Sequence, residues 1–390
     1  MTTALKIVGG LVLLLVILAG LAVTILPRFL DRIYYRGPAS DHFDGERFFN
    51  PTGEEEAARP PTGGSRADFF WRQLTGRDGR PRWPERVPVT PTKPPPRVEG
   101  ERMLVTWIGH ATVLVQTHGL NILTDPVWSE RTGPFGRGPR RVSEPGVRFE
   151  DLPKIDLLLV SHNHYDHLDK PTLKRLWERD RPLIVTSLGN DSVIGQVGAA
   201  ATARDWGERV AVRPGVEVIV TRVQHWGSRW FTDRNRALWS GFVVTLPSGG
   251  TLYFAGDTGF GDGEWPREAA AHGPIRLAIL PIGAFRFVPG QMRTASHMGP
   301  LEAVRAFDRT GAGMALPVHW GTFRLSFEGH DTPPRMLAEL MRCTGAEADR
   351  FAARRIGESF DVPPVGTPRA RLDLSELEAC ARSEAVRALP

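Results

Sequence analysis

The sequence predicts an α/β protein, a layered αβ/βα sandwich of two related halves behind an N-terminal transmembrane helix. Residues 7–26 are apolar and uncharged, which predicts the helix. From Met103 onward, short apolar runs closed by turns are interleaved with helical segments, and a second, similar series of strands follows the first. A chain of 390 residues can bury one large core or two modest ones.

The N-terminal apolar run has the length of a membrane span. From Ile7 to Leu26, twenty residues carry no charge. At 1.5 Å per residue such a helix is about 30 Å long, enough to cross the hydrocarbon core of a bilayer. A cleaved signal peptide is the alternative, but its apolar region is normally shorter, and no A-x-A site precedes Pro27. An uncleaved anchor is therefore the favoured interpretation.

The charges around this run bear on its orientation. Lys6 and the amino terminus flank one side, while Arg28, Arg32 and Arg36 flank the other side beside Asp31. By the positive-inside rule, this pattern favours a cytoplasmic main domain by a small margin. A periplasmic or other extracytoplasmic domain is the alternative.

Composition divides the chain into four segments. They are an anchor with its flank (1–36), a proline-rich arm (37–100), a main domain (101–363) and a helical tail (364–390). Composition alone would make the arm a linker. The arm holds more large aromatic side chains than a solvated spacer needs, so packing against the main domain is at least as well supported. These aromatic residues are Phe48, Phe49, Phe69, Phe70, Trp71 and Trp83.

The elements of the main domain follow from apolar runs and turn signals. Leu157–Val160 is a continuous apolar run, as expected for a strand buried on both faces. Pro300–Arg309 is predicted to be a helix because Gly311 stands just beyond its end. Helices are also predicted at 171–178 and 372–389. The predicted strands are 103–108, 112–116, 121–124, 157–160, 183–186, 210–212, 216–223, 241–246, 251–255, 277–282 and 313–317.

Four potential metal ligands lie within six residues, directly after the strand Leu157–Val160. They have the spacing H-x-H-x-D-H and are His162, His164, Asp166 and His167. A loop that leaves a strand end can turn alternate side chains towards one point. Imidazole and carboxylate together suit zinc, and also iron or manganese. An accidental histidine-rich loop is the alternative, and the buried strand before the motif argues against it.

Three further ligand-type residues stand at strand-to-loop transitions, where active-site residues concentrate. His225, Asp257 and His319 each follow a predicted strand. Each of them alone would more often be structural, but together with the histidine-rich loop they predict a metal site. Two cations about 3.5–4 Å apart can share a water, and the bridging hydroxide that results can attack phosphorus or a carbonyl. The pattern therefore predicts a hydrolase.

These motifs resemble those of a known family. The H-x-H-x-D-H loop with the later histidines and aspartate resembles the metallo-β-lactamase superfamily, whose fold is a four-layer αβ/βα sandwich. More narrowly, seven motifs resemble, in the same order, the N-acylphosphatidylethanolamine-hydrolysing phospholipase D family. They are Gly109–Val113, Leu123–Val127, Ser161–Asp169, Gln224–Trp226, Ala255–Gly259, Pro281–Ala284 and His319–Phe323. On this resemblance, residues 101–363 form the catalytic domain.

The resemblance implies a site for two divalent metal ions, with zinc as the expected metal. One ion would be held by His162, His164 and His225, the other by Asp166, His167 and His319, with Asp257 bridging the two. Asp125 would orient a metal-bound histidine, and His110 would support the site without binding metal. His297 matches a family histidine near the substrate phosphate, and an ordinary loop histidine is the alternative there. Asp166, Asp257 and His297 are thus the expected catalytic residues.

The function that the resemblance implies is hydrolysis of N-acylphosphatidylethanolamine to phosphatidic acid and N-acylethanolamine. The implied partners are a phospholipid substrate and a membrane, with a homodimer left open. Other esters, lactones or phosphodiesters are the alternative substrates, and an inactive membrane-bound scaffold is the alternative of another class. The scattered basic residues form no recognition helix, which argues against nucleic acid. Cys343 and Cys380 lie outside the motifs and define no disulfide framework.

Overall fold

The computed structural model describes residues 2–30, 32–52, 65, 68, 71–72, 75, 77–230, 232–288, 296–367 and 370–390. Of the aromatic residues of the arm, Phe69 and Phe70 lie outside these ranges. Phe48 is buried in the core, and Trp83 donates its indole N–H to the carbonyl of Glu328 at 3.0 Å. Trp71 is exposed.

Within the described ranges, thirteen strands form two sheets. In chain order they are β1 (Leu104–Gly109), β2 (Thr112–Thr117), β3 (Leu120–Thr124), β4 (Leu157–Val160), β5 (Leu183–Ser187), β6 (Thr202–Arg204), β7 (Arg209–Arg213), β8 (Val216–Thr221), β9 (Gly241–Thr245), β10 (Thr251–Phe254), β11 (Ile275–Pro281), β12 (Met314–Val318) and β13 (Ser359–Asp361). The first sheet has the order β13-β1-β2-β3-β4-β5-β6, and the second has the order β12-β11-β10-β9-β8-β7.

Helix α1 (Thr2–Leu30) precedes the main domain and is exposed between Leu5 and Ile25. The later helices cover the outer faces of both sheets. They are α2 (Lys170–Asp180), α3 (Asn190–Gly195), α4 (Trp265–Ala270), α5 (Pro300–Thr310), α6 (Thr332–Cys343), α7 (Leu377–Ala381) and α8 (Glu384–Arg387). Leu173 and Val193, from α2 and α3, pack with the first sheet. Phe307 and Leu340, from α5 and α6, pack with the second sheet.

The inner faces of the two sheets form a third, shared core. Val113 and Leu157 of the first sheet lie in the same buried cluster as Val218 and Phe242 of the second. Helix, sheet, sheet and helix therefore form four layers, and the predicted αβ/βα sandwich is confirmed. Each predicted strand lies within a few residues of an observed one, because the apolar runs mark strands buried on both faces.

The structure also contains elements that the sequence reading did not include. Helices α3, α4 and α6 and the short strands β6 and β13 were not predicted. The tail predicted as one helix over 372–389 contains two short helices, α7 and α8. The shorter elements show no clear period, so periodicity does not reveal them. Helix α6 has twelve residues with Leu337, Leu340 and Met341 buried on one face, a spacing typical of an amphipathic helix, and it could have been predicted.

Helix α1 is long and apolar enough to cross a bilayer between Leu5 and Ile25, and no part of that stretch is buried. Its large apolar side chains are exposed, as in a membrane span or a signal sequence and unlike in the core helix of a soluble domain.

A disulfide links Cys343 and Cys380, 37 residues apart in the sequence. It joins the last residue of α6 to α7 and so ties the C-terminal tail to the main domain. The sequence had left the pairing of these cysteines open, because two cysteines carry no spacing pattern.

The parallel strands explain where a site can form. Strands β3, β4 and β5 are parallel in the first sheet, and β10, β11 and β12 are parallel in the second. The loops at the carboxyl ends of such strands lie at a common edge, where ligands typically bind. The predicted ligand loop follows β4, and the predicted partners follow β8, β10 and β12.

Candidate metal centre

The histidine-rich loop after β4 folds back on itself. The amide of His167 donates to the carbonyl of His164 at 3.2 Å, and the amide of Leu168 donates to the same carbonyl at 2.8 Å. This turn brings the alternate side chains together, so His162 Nε2 lies 2.8 Å from His164 Nδ1. His162 and His167 are buried.

Asp257 lies at the middle of the site. Its Oδ2 is 3.0 Å from His319 Nε2, 3.1 Å from His167 Nε2 and 3.8 Å from His225 Nε2. The carboxylate thus reaches imidazoles carried by both sheets. This is the arrangement that a bridging ligand requires.

The predicted ligands fall into two groups of closely spaced donor atoms. Within each group the donor atoms lie within 4.8 Å of one another. One group is His162, His164, His225 and Asp257; the other is His110, Asp166, His167 and His319. All seven residues predicted as ligands are therefore brought together in the structure.

His110 lies nearer to the second group than the sequence reading implied. Its Nε2 is 3.0 Å from Asp166 Oδ2, and its ring centroid is 4.2 Å from that of His319. Its backbone has a φ of 52°, unusual for a residue with a side chain. The contact with the Asp166 carboxylate fits a residue that holds a ligand in place.

Orphaned polar atoms show that the site suits a cation. Asp257 Oδ1 and His164 Nε2 are buried and have no hydrogen-bond partner within the described part of the chain. Buried polar atoms are rarely left so, because each unmade bond costs about 1–3 kcal/mol. Imidazole and carboxylate donors in two such groups fit divalent transition metals.

Asp125 supports the site through its contact with His167. Its Oδ2 is 2.6 Å from His167 Nδ1, and it accepts bonds from the amide (2.7 Å) and the hydroxyl (2.6 Å) of Ser161. The residue is fully buried, and burial raises the pKa of its carboxyl. Such a contact fixes which nitrogen of the imidazole is free to bind metal.

Asp125→Asn should weaken metal binding by about 10- to 100-fold. The new amide NH₂ would face the His167 Nδ1 proton and the Ser161 hydroxyl, so donors would meet donors. Metal affinity measured by competition with a fluorescent chelator would report the loss. Asp308→Asn, at an exposed position of α5, is the matched control. An unchanged affinity in Asp125→Asn would contradict the orienting role.

Burial and neighbouring charges shift the pKa values of the clustered groups in opposite directions. Burial lowers the pKa of His164 to about 3 and that of His297 to about 4. Burial also acts to lower the pKa of His319, but the Asp257 and Asp166 carboxylates outweigh it and raise that pKa to about 9. At neutral pH the metal-free site therefore holds a proton on His319.

Metal loading at pH 7 should release protons. Metal binds neutral imidazole, and the pKa of His319, raised to about 9, means that its proton must leave when the ion enters. The apparent metal affinity therefore falls as pH falls below about 9, and proton release on metal binding fades as pH rises through that value. Calorimetry of zinc binding in buffers of different ionisation enthalpy would measure the release. A buffer-independent heat at pH 7 would contradict the expectation.

His297 lies beside both groups. Its Nδ1 is 3.9 Å from Asp257 Oδ2, and its ring centroid is 5.0 Å from that of His225 and 5.5 Å from that of His319. Ala295, two residues before His297, is outside the described ranges. The position of His297 is compatible with contact to a substrate held at the centre.

Glu328 is a residue at the site that sequence reasoning missed. Its carboxylate accepts the amide of Ala284 at 2.6 Å and that of Arg286 at 3.2 Å. It thereby holds the loop after β11, where a side chain on Gly283 would collide with the His319 carbonyl at 2.1 Å. Because Glu328 is 44 residues beyond Ala284 in the chain, no local pattern connects the two.

Comparison with known proteins identifies the class. Residues 120–320, just over half of the chain, match the beta-lactamase superfamily domain. The chain belongs to the metallo-β-lactamase superfamily, and it is a metal-dependent hydrolase of that fold.

Among curated proteins, the chain resembles N-acyl-phosphatidylethanolamine-hydrolyzing phospholipase D 1 of Caenorhabditis elegans. The two are 37% identical over 251 residues, which cover 61% of this chain and 70% of the relative. The mitochondrial enzyme of the same description from Saccharomyces cerevisiae is 32% identical over 263 residues, covering 66% of this chain and 56% of that protein. The resemblance to this family that the sequence motifs carry is confirmed.

Among solved structures, isothiocyanate hydrolase from Delia radicum gut bacteria superposes with a TM-score of 0.53. It is 22% identical, and the match covers 67% of this chain and 99% of that one. At this level of identity the similarity shows the fold alone.

Proposed function

We propose that the protein is a phosphodiesterase of the phospholipase D type that hydrolyses N-acylphosphatidylethanolamine-like lipids to phosphatidic acid and N-acylethanolamine. The observation that carries the proposal is the clustering of seven ligand-type side chains, with Asp257 at the middle, in a chain 37% identical to an N-acyl-phosphatidylethanolamine-hydrolyzing phospholipase D. The metal centre alone would not select this substrate, because the fold hosts many reactions.

In this proposal two divalent ions, zinc as the expected metal, are held by the residues that the two donor groups contain. His162, His164 and His225 would hold one ion, Asp166, His167 and His319 would hold the other, and Asp257 would be a ligand shared by both. Bound there, the ions would supply an activated water and neutralise charge on the phosphate oxygens. The Asp125 contact with His167 and the His110 contact with Asp166 support the assigned geometry.

His297 is proposed to contact the substrate phosphate. Its ring lies 5.7 Å from that of Phe287 and is held in a buried position beside Asp257. Burial lowers its pKa to about 4, so the imidazole is neutral at pH 7 and can donate one hydrogen bond without a charge.

We propose that residues 1–36 anchor the enzyme in a membrane through α1, that 37–100 form an arm on the domain, and that 101–363 and 364–390 are the catalytic domain and its tail. Burial of Phe43 and Phe48 in the core of the domain supports the packed arm. The exposed apolar surface of α1 supports the anchor.

The side of the membrane is a further part of the proposal. The charges flanking α1 favour the cytoplasm by a small margin, while the Cys343–Cys380 disulfide favours an oxidising compartment. We propose the oxidising side, because thiols in the cytosol are kept reduced whereas the charge difference is small. Labelling of intact cells with a membrane-impermeant reagent, followed by proteolysis of the exposed domain, would test it; full protection of the domain would contradict it.

The function is tested by incubating the full chain, purified in detergent, with N-acylphosphatidylethanolamine. Release of N-acylethanolamine by protein that contains about two metals per chain is the expected result. Two metals without lipid hydrolysis would contradict the substrate and favour another ester, lactone or phosphodiester. Protein that takes up no metal would favour the inactive scaffold.

A further inference from the structure

Apart from the metal centre, a cavity lies beside the histidine-rich loop, next to the segment that follows α1. Its volume is about 360 Å³. We call it the juxtamembrane pocket, and the lining residues that matter here are Arg32, Arg131, Phe135, Lys170, Arg229 and Trp230. Nothing in the proposed chemistry uses this pocket.

The pocket is strongly cationic. Arg32, Arg131, Lys170 and Arg229 line it, and none forms an ion pair within 4.0 Å with a carboxylate of the residues that the structure describes. The acidic residue in the lining, Asp169, is already engaged. It accepts the Ser129 amide at 3.0 Å, the Ser129 hydroxyl at 2.8 Å and the Thr172 hydroxyl at 2.6 Å.

Four basic side chains against the carboxylate of Asp169 leave the pocket lining with an excess of positive charge. Such a lining suits a phosphate group, which offers several acceptor oxygens and negative charge. Lys170 keeps two donor positions available, since it gives one hydrogen bond to Gln196 Oε1 at 3.0 Å. Arg229 is rigid, because its Nη1 donates to the carbonyls of Asn163 and Leu168, both at 2.9 Å.

An exposed aromatic side chain stands at the rim. Phe135 is 85% exposed, the largest exposed fraction among the large apolar side chains that the structure describes. It lies at the tip of a loop closed by a hydrogen bond from the Thr132 amide to the Pro139 carbonyl (3.1 Å). Its ring centroid is 5.5 Å from that of Trp230. Trp230 is half-buried, so Phe135 is the exposed member of the pair. Exposed aromatic side chains beside basic residues are typical of membrane–water interfaces.

The chain itself holds this pocket close to the bilayer. Tyr34, which also lines the pocket, is fixed to the domain by its hydroxyl, which donates to Asp233 at 2.8 Å, and by its carbonyl, which accepts from Ser192 at 2.9 Å. The apolar span ends at Ile25, and α1 continues to Leu30. Residues 26–30 add about 7.5 Å as helix, and four further residues could add at most about 14.4 Å in any conformation. Tyr34 therefore lies within about 22 Å of the end of the apolar span, so the pocket stays near the headgroup region.

We infer that the juxtamembrane pocket binds the phosphate headgroup of an anionic phospholipid in the bilayer that carries α1, with Phe135 entering the interface. The inference rests on the membrane anchor of the proposed function and not on its reaction. The occupant is a lipid because the pocket is tied to the membrane and has an apolar rim, which inorganic phosphate would not need. The bound headgroup would set the domain in one orientation on the bilayer.

The test is binding of short-chain lipids to the full chain, metal-loaded, in non-ionic detergent. The probes are dihexanoylphosphatidylglycerol, dihexanoylphosphatidylcholine and inorganic phosphate, measured by calorimetry at low salt. We expect phosphatidylglycerol to bind at least about tenfold more tightly than the other two. Lys170→Ala and Arg131→Ala should each weaken it about fivefold, the usual effect of one basic residue near an anionic lipid. Lys174→Ala, an exposed lysine one turn further along α2, is the matched control and should change nothing.

Several outcomes would overturn the inference. If inorganic phosphate bound as tightly as phosphatidylglycerol, the occupant would not be a lipid. If Lys174→Ala weakened binding as much as Lys170→Ala, the effect would come from the overall positive charge and not from this pocket. Binding lost in Asp257→Asn but kept in Lys170→Ala would assign the lipid to the metal centre instead. Because phosphatidylglycerol is not the hydrolysed lipid, this result and the hydrolysis assay can fail independently.

Discussion

Asp257→Asn should reduce hydrolysis by at least about a hundredfold, the scale expected when one group acting on developing charge is lost. The carboxylate lies near imidazoles of both donor groups, with Oδ2 3.0 Å from His319 Nε2 of one group and 3.8 Å from His225 Nε2 of the other. An amide would bring one neutral oxygen and one NH₂ group that cannot bind metal. Turnover of the proposed substrate, N-acylphosphatidylethanolamine, with metal content measured on the same sample, would report the effect.

The fold should survive this change, because asparagine has the same size and the surrounding strands are unaffected. Circular dichroism and the melting temperature would check that. Asp308→Asn, exposed on α5, removes a carboxylate from the same half of the protein and should keep normal turnover. Near-normal turnover in Asp257→Asn would contradict its assignment as the bridging ligand.

Removing the disulfide should lower the free energy of unfolding by about 4 kcal/mol, the value expected from chain entropy for a loop of this length. The double variant Cys343→Ser/Cys380→Ser leaves α6 and α7 packed but no longer joined, so the unfolded chain gains freedom. Urea unfolding of wild type and variant would measure the difference.

The wild-type protein under reducing conditions is the control for this variant, and the two should unfold at the same denaturant concentration. Metal content should not change, because both cysteines lie outside the two donor groups. A loss below about 1 kcal/mol, small against the entropy of closing such a loop, would show that the tail is held by its packing alone.

Much of the architecture could be predicted from local patterns. The apolar runs that form β4 and β10 are continuous because both faces of these strands are buried, so every consecutive residue faces a core. The cluster His162–His167 could be recognised for a related reason, since a loop directly after a buried strand keeps its side chains near the strand end.

What could not be predicted depends on contacts between distant segments. Glu328 acts on Ala284 across 44 residues, and His110 meets Asp166 across 56. From the sequence alone, the two residues of each pair belong to different loops with no sign that they meet. The Cys343–Cys380 pairing and the juxtamembrane pocket arise in the same way, from elements that meet only after folding.

The metal centre straddles the two sheets: the β4 loop belongs to one, and the ends of β8, β10 and β12 belong to the other. Bound ions would therefore link the two sheets. Because they bind only the folded state, their binding free energy would add to the free energy of unfolding. This matters at the bench as much as in the cell. A chelating buffer used during purification would lower the stability of the packing between the two sheets as well as abolish the activity. An unstable or aggregated preparation should therefore first be checked for lost metal.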